Sequence, residues 1–206
     1  MKTFFFNIWR IGRWILLVIL ILFIGLVIYR IPFVAEQEKT QETIEYINAQ
    51  KLVIEDVSGE RLPPLPDPKL VDATVEGVDV NKNNIRDDVE LAIFEMYPGN
   101  ENIKIRSAML QYAMALQLYL TEVFNSETWI VVTQEEERAL GCLLEVYVSD
   151  GSEEDDGLDD YFTSRTEVIE LVFNINKRQE VSDTLNKYQS SFVLLRGENC
   201  DIVVSD

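Results

Sequence analysis

The stretch Glu101-Asn-Ile-Lys-Ile-Arg-Ser-Ala-Met-Leu-Gln-Tyr-Ala-Met-Ala-Leu-Gln-Leu-Tyr-Leu-Thr-Glu-Val-Phe124 decides the fold class. Ile103, Ile105, Met109, Tyr112, Met114, Leu116, Tyr119, Leu120 and Val123 spread apolar side chains nearly all round a helix. Lys104, Ser107, Gln111 and Glu122 leave it only a narrow polar stripe. A water-soluble helix with that pattern is the buried centre of a bundle. Lys104, Arg106, Gln111, Gln117 and Glu122 interrupt it too often for a membrane span.

The neighbouring segments supply the helices around it. Residues 85–97 carry Val89, Ile93 and Met96 at helical spacing and stop at Pro98-Gly99. Thr133-Gln-Glu-Glu136 reads as a capping box, predicting a helix from Thr133 to about residue 148. A short helical stretch is expected near residues 166–173. A last helix over residues 177–195 would place Val181, Leu185, Tyr188, Phe192 and Leu195 on one side. The expected fold is all-α. No internal repeat is visible, and the Met and Tyr residues on these stripes read as core.

Toward the N-terminus the chemistry changes. Residues 14–29 run from Trp14 to Tyr29 without a polar side chain, roughly 24 Å of helix at about 1.5 Å per residue. Ile11, Gly12 and residues 31–35 lengthen the run if Arg13 and Arg30 snorkel to the interface. Trp9, Trp14 and Tyr29 lie where interfacial aromatics belong. This predicts a single uncleaved transmembrane anchor. The alternative, a cleaved signal peptide, lacks a small-x-small site, since Phe33 stands two residues before Ala35. No cysteine follows the run closely enough for lipoprotein processing. Lys2, Arg10 and Arg13 precede the span, while Arg30 and Lys39 follow it, a bias toward a cytoplasmic N-terminus. The expected organisation is a cytoplasmic tail (1–13), an anchor (14–31), a juxtamembrane helix or stalk (32–50) and an extracytoplasmic helical domain (51–206). The expected location is the bacterial cytoplasmic membrane, with the domain periplasmic or extracellular.

Charge divides along the same line. The 206 residues carry 18 Lys+Arg, 36 Asp+Glu and no histidine, for a net −18. Residues 1–31 hold four of the basic residues and no acid, or +4, so the other 175 hold 14 against 36, or −22. Without histidine there is no Ser-His-Asp triad, Cys-His pair or HExxH zinc site. Two cysteines cannot form a Cys₄ centre. An acidic domain has no basic surplus for a phosphate backbone, so nucleic acid is not an expected partner.

Between anchor and bundle, residues 52–57 read as a short strand ended by Ser58-Gly59, and Leu62-Pro-Pro-Leu-Pro-Asp-Pro68 reads as an extended proline-rich arm. The motif with specific chemistry follows: Asp79-Val-Asn-Lys-Asn-Asn-Ile-Arg-Asp-Asp-Val-Glu90. Numbered as a twelve-residue calcium loop, it puts oxygen side chains at positions 1, 3, 5, 9 and 12, namely Asp79, Asn81, Asn83, Asp87 and Glu90. Ile85 at position 7 would offer its carbonyl. Position 6, normally glycine because it turns left-handed, is Asn84. The apolar anchor sits at position 7, and no helix precedes the loop. A structural Ca²⁺ of modest affinity, about 10⁻⁴–10⁻³ M, is the expected ligand. The alternative is an Asn-rich turn whose Asp87 or Asp88 complements a helix N-terminus.

The residues Leu62-Pro-Pro-Leu-Pro-Asp67, Thr74-x-x-Gly77-Val-Asp79, Ile85-Arg-Asp-Asp-Val-Glu90, Tyr97-Pro98, Arg138-Ala-x-x-Cys142-Leu143 and Leu171-Val-Phe-Asn174-x-x-x-Arg178 together resemble a group of uncharacterised exported bacterial proteins. The resemblance implies export and a solitary calcium-type loop, and no activity. In an oxidising compartment Cys142 and Cys200 would pair; the alternative is two free thiols. Residues 150–160 carry seven carboxylates and read as a solvated loop, or as a second weak cation site. The expected function is a membrane-anchored, calcium-stabilised binding module or accessory subunit with an envelope protein partner, without catalysis. The alternative is a carboxylate-dependent glycan-type hydrolase using acids such as Glu95, Glu122 or Glu145, which border apolar helix faces.

Overall fold

The computed structural model describes residues 2–148, 154–194 and 197–203. All regular structure among these residues is helical: α1 (Lys2–Ala49), α2 (Ile54–Ser58), α3 (Pro68–Val71), α4 (Asp87–Met96), α5 (Ile103–Glu122), α6 (Ser126–Val148), α7 (Glu154–Val172), α8 (Asn176–Leu185) and a 3₁₀ turn, Asn186–Tyr188. Contacts divide the chain into two units, Met1–Glu42 and Thr43–Asp206.

The first unit is most of α1. From Trp14 to Val34 its apolar side chains are exposed. Among the described residues α1 alone is long and apolar enough to cross a membrane. The helix does not end at residue 31: it continues through Pro32, whose ring withholds one backbone donor, and the stalk is its continuation.

In the second unit α5 is the axis. All fifteen residues from Arg106 to Leu120 are buried, and α2, α4, α6, α7 and α8 pack around them. The buried polar groups of α5 hold irregular chain. Gln111 accepts from the Asp201 N–H and donates to the Asn199 carbonyl, and Gln117 donates to Glu76 O.

Three buried arginines, Arg106 of α5 among them, bind backbone carbonyls in the same way. Arg106 donates to the carbonyls of Val57, Tyr97 and Gly99 while stacking 4.5 Å above Phe94. Arg178 donates to those of Val71, Thr74 and Val75, with Asp72 at 2.9 Å. Arg86 reaches the carbonyls of Leu171 and Val172 at the C-terminus of α7, where a cation is favourable. Each fork satisfies carbonyls that no helix would otherwise pair.

The tail closes the domain. Cys142 on α6 and Cys200 stand at disulfide distance, with sulfurs 2.03 Å and Cα atoms 4.8 Å apart, enclosing 58 positions of sequence separation. Asp201 accepts from Leu52 N at 3.1 Å and pairs with Arg138 at 2.8 Å.

Several local expectations are corrected. Residues 52–57 form no strand: Asp56 accepts from Val53 N at 3.1 Å and opens α2, which Gly59 ends at φ 89°. Thr133 does not start a helix but lies buried inside α6. The start is at Asn125, whose Oδ1 accepts from Thr128 N while Thr128 Oγ1 accepts from Asn125 N. Residues 149–153 lie outside the described residues, but from Glu154 on the acidic stretch is the start of α7 and not a loop; acids suit a helix N-terminus. The last helix stops at Leu185 and tightens into the 3₁₀ turn. Phe192 reaches the core from irregular chain, edge-to-face on Trp129 at 5.9 Å, and Leu195 lies outside the described residues. Residues 62–67 carry no regular structure, and Pro68 opens α3 behind the Asp67 cap.

Candidate metal centre

The loop before α4 is wound around Asp79. Its carboxylate accepts from the backbone N–H groups of Lys82 (2.7 Å), Asn83 (3.3 Å) and Asn84 (2.9 Å). Curling the chain so tightly forces left-handed backbone at alternate residues, Lys82 (φ 58°) and Asn84 (φ 62°). Asn84 tolerates this best among side-chain-bearing residues and is held there, its Nδ2 donating to Gln50 Oε1 and its Oδ1 accepting from Tyr46 Oη. Asn83 Oδ1 accepts from Ile85 N, and the Ile85 side chain is fully buried beneath the loop. Asp87, at the first turn of α4, accepts from Val80 N at 3.0 Å.

Position 12 meets position 3 directly, as Asn81 Nδ2 donates to both oxygens of Glu90. Asn81 is fixed on its other side by Arg61, which donates to its carbonyl and accepts from the same amide. The side chains of Asp87 and Glu90 are fully buried.

Burial has an electrostatic consequence. The carboxyls of Asp79 and Asp87 lie above their ordinary range, and Glu90 is pushed up to about 7, in each case chiefly by loss of water. Asp56, buried on α2, adds negative potential at both Asp79 and Glu90. Its position was not legible from spacing, since it lies 23 residues before the loop begins. Arg61 Nη1, 3.2 Å from Asp56 Oδ1, is the basic group paired with it.

The loop keeps buried oxygens that no donor satisfies. Asn81 Oδ1 and Asp87 Oδ2 are buried oxygens with no hydrogen-bond donor, as is Asp56 Oδ1 apart from its ion pair. Among the described residues no three Asp, Glu or Cys side chains are gathered closely enough to hold a metal unaided. An ion here would depend on the amides of Asn81 and Asn83 and the Ile85 carbonyl as well as on Asp79, Asp87 and Glu90, the mixed oxygen shell calcium accepts.

The other acids singled out in the sequence are dispersed. Glu95 is on α4, Glu122 ends α5, and Glu145 on α6 accepts from Asn199 Nδ2. Comparison with known proteins gives no matching family model, no matching curated protein and no matching solved structure.

Proposed function

We propose that this chain is a membrane-tethered, calcium-stabilised helical domain that serves as a binding module or accessory subunit of a bacterial cell-envelope assembly. The observation carrying the calcium reading is the set of buried oxygens without donors at Asn81 and Asp87, beside the buried Glu90 carboxylate. Bound there, Ca²⁺ would neutralise the buried acids and lock the connecting segment at residues 59–86, α3 included, to α4. Its role is structural, because a lone loop without an incoming helix has no paired helices to open. The tether rests on the exposed apolar surface of α1, and an extracytoplasmic position rests on the basic flank before it. The resemblance to exported bacterial proteins points the same way.

The test uses the full-length protein in lipid nanodiscs. Calorimetric titration should show one Ca²⁺ per chain, and chelation should lower the melting temperature. No heat of binding and no shift would overturn the calcium reading. For the partner, isolation from solubilised membranes should yield a stoichiometric envelope protein; recovery of the chain alone would overturn the accessory role.

A further inference from the structure

Away from the loop, α5, α6, α7, α8 and the 3₁₀ turn line an open cleft of about 300 Å³. That is the lower end of the range of about 300–1,000 Å³ for small-molecule sites. It has a floor and a mouth. The floor is formed by Tyr112 and Thr133, both at least nine-tenths buried, and the exposed Asn186 and Gln189 stand at the rim. Trp129 and Phe173 supply apolar walls.

Tyr112, Thr133 and Arg165 present polar groups to this cavity, together with the Glu136 carboxylate. Thr133 Oγ1 is buried without a hydrogen-bond partner, while Tyr112 Oη and Arg165 Nε, which form no well-aligned hydrogen bond, lie close enough to each other for Tyr112 to hold the guanidinium above its ordinary pKa. Arg165 forms no ion pair among the described residues, unlike Arg86, Arg138 and Arg178. Glu136 also lines the space but is not within ion-pair distance of Arg165. Burial and Glu137 raise its carboxyl above the ordinary range, and Arg165 opposes the shift. Buried polar groups are rarely left unmatched, and a guanidinium beside two hydroxyls suits a planar carboxylate.

We infer that this cavity binds a small organic carboxylate, its carboxylate on Arg165, Tyr112 and Thr133 and its single-ring or branched apolar body between Trp129 and Phe173. The cavity is too small for a nucleotide-sized ligand, and its Trp129 and Phe173 walls would be left without a contact by a bare inorganic anion. The inference is independent of the calcium reading, since no cavity group belongs to the loop.

The chain holds three tryptophans, so W9F/W14F leaves Trp129 as sole fluorophore. The full-length variant in nanodiscs is titrated with phenylacetate, benzylamine and inorganic phosphate. Phenylacetate should give a saturable change, at least tenfold tighter than either other probe, and R165M should weaken it tenfold or more. T133V should weaken it several-fold with cooperative melting intact, and it decides the matter if R165M does not fold. The proposal is overturned by no saturable response, by benzylamine or phosphate binding as tightly, or by unchanged affinity in the folded variants.

Discussion

Asn81 and Glu90, the third and twelfth residues of the loop, are in direct contact: the Asn81 amide donates to the two Glu90 oxygens at 3.3 and 3.0 Å. The contact draws the end of the loop back onto its beginning, so removing the Glu90 charge should act on ion binding more than on the loop's shape. With a Kd of about 0.1–1 mM, 10 mM Ca²⁺ would stabilise the full chain by about 1.4–2.7 kcal/mol. For this size that is about 3–10 °C in melting temperature. E90Q should abolish the calcium-dependent shift while melting cooperatively; an undiminished shift would place the ion elsewhere.

Gly77 and Gly99 make a matched pair. Both have positive φ, 69° and 80°, but an added Cβ at Gly77 would stand 2.4 Å from Arg86 Cδ, whereas at Gly99 it would meet only the flexible Glu101 side chain. Arg86 cannot retreat, since Leu171, Val172 and Asp88 hold its head. G77A should therefore cost about 2–5 kcal/mol, strain and overpacking together, and G99A about 1–2 kcal/mol. Urea unfolding of the two variants checks the order; equal losses would refute it.

Arg178 should be irreplaceable by lysine. R178M leaves the Val71, Thr74 and Val75 carbonyls unmatched and should destabilise by about 3–5 kcal/mol. R178K retains a charge but not the fork, so it should recover less than half of that loss. Full recovery in denaturant titrations would show that charge alone matters.

Reduction of the cysteine pair should be costly. Closing a loop of 58 residues removes about 4 kcal/mol of unfolded-state entropy in the chain-entropy description. C142A/C200A should melt well below the parent, and added reductant should lower the parent alone. Indifference of the parent to reductant would mean the bond does not form.

The helical core was plain in the sequence because burial and periodicity are local properties: the all-round apolar pattern of residues 101–124 became the fully buried α5. Chain ends of helices were less legible. Thr133-Gln-Glu-Glu136 satisfies the capping pattern, yet Asn125 and Thr128 already cap the helix one turn or more earlier, and a pattern cannot tell which cap the chain uses. The stripe through Val181, Leu185 and Tyr188 keeps its spacing while the backbone tightens into 3₁₀ geometry, because packing on Trp129 sets the position of Phe192. At the loop, the alternation of oxygen side chains was legible, and Asp56 and Arg61 were not. Their place beside Asp79 and Asn81 depends on how the segment between them turns, which no spacing rule expresses.

Glu136 should make stability depend on pH. Its folded carboxyl lies above the ordinary 4.5, by burial first and then by Glu137, with Arg165 opposing. Below pH 4.5 it is protonated in both states and costs nothing. As pH rises, the unfolded chain ionises first, so stability is lost through the window between the two pKa values. E136Q should thus gain on the parent from pH 5 to pH 8 in parallel urea titrations. A gap that does not change with pH would assign the shift to some other group.

The three buried arginines also bear on how this sequence can drift. Arg86, Arg106 and Arg178 bind helix ends and connecting chain through backbone carbonyls, and every residue type presents the same carbonyl. Positions 57, 71, 74 and 75 are thus bound without being read, and their side chains are free to vary within their own packing limits. The three arginines and Gly77 are not.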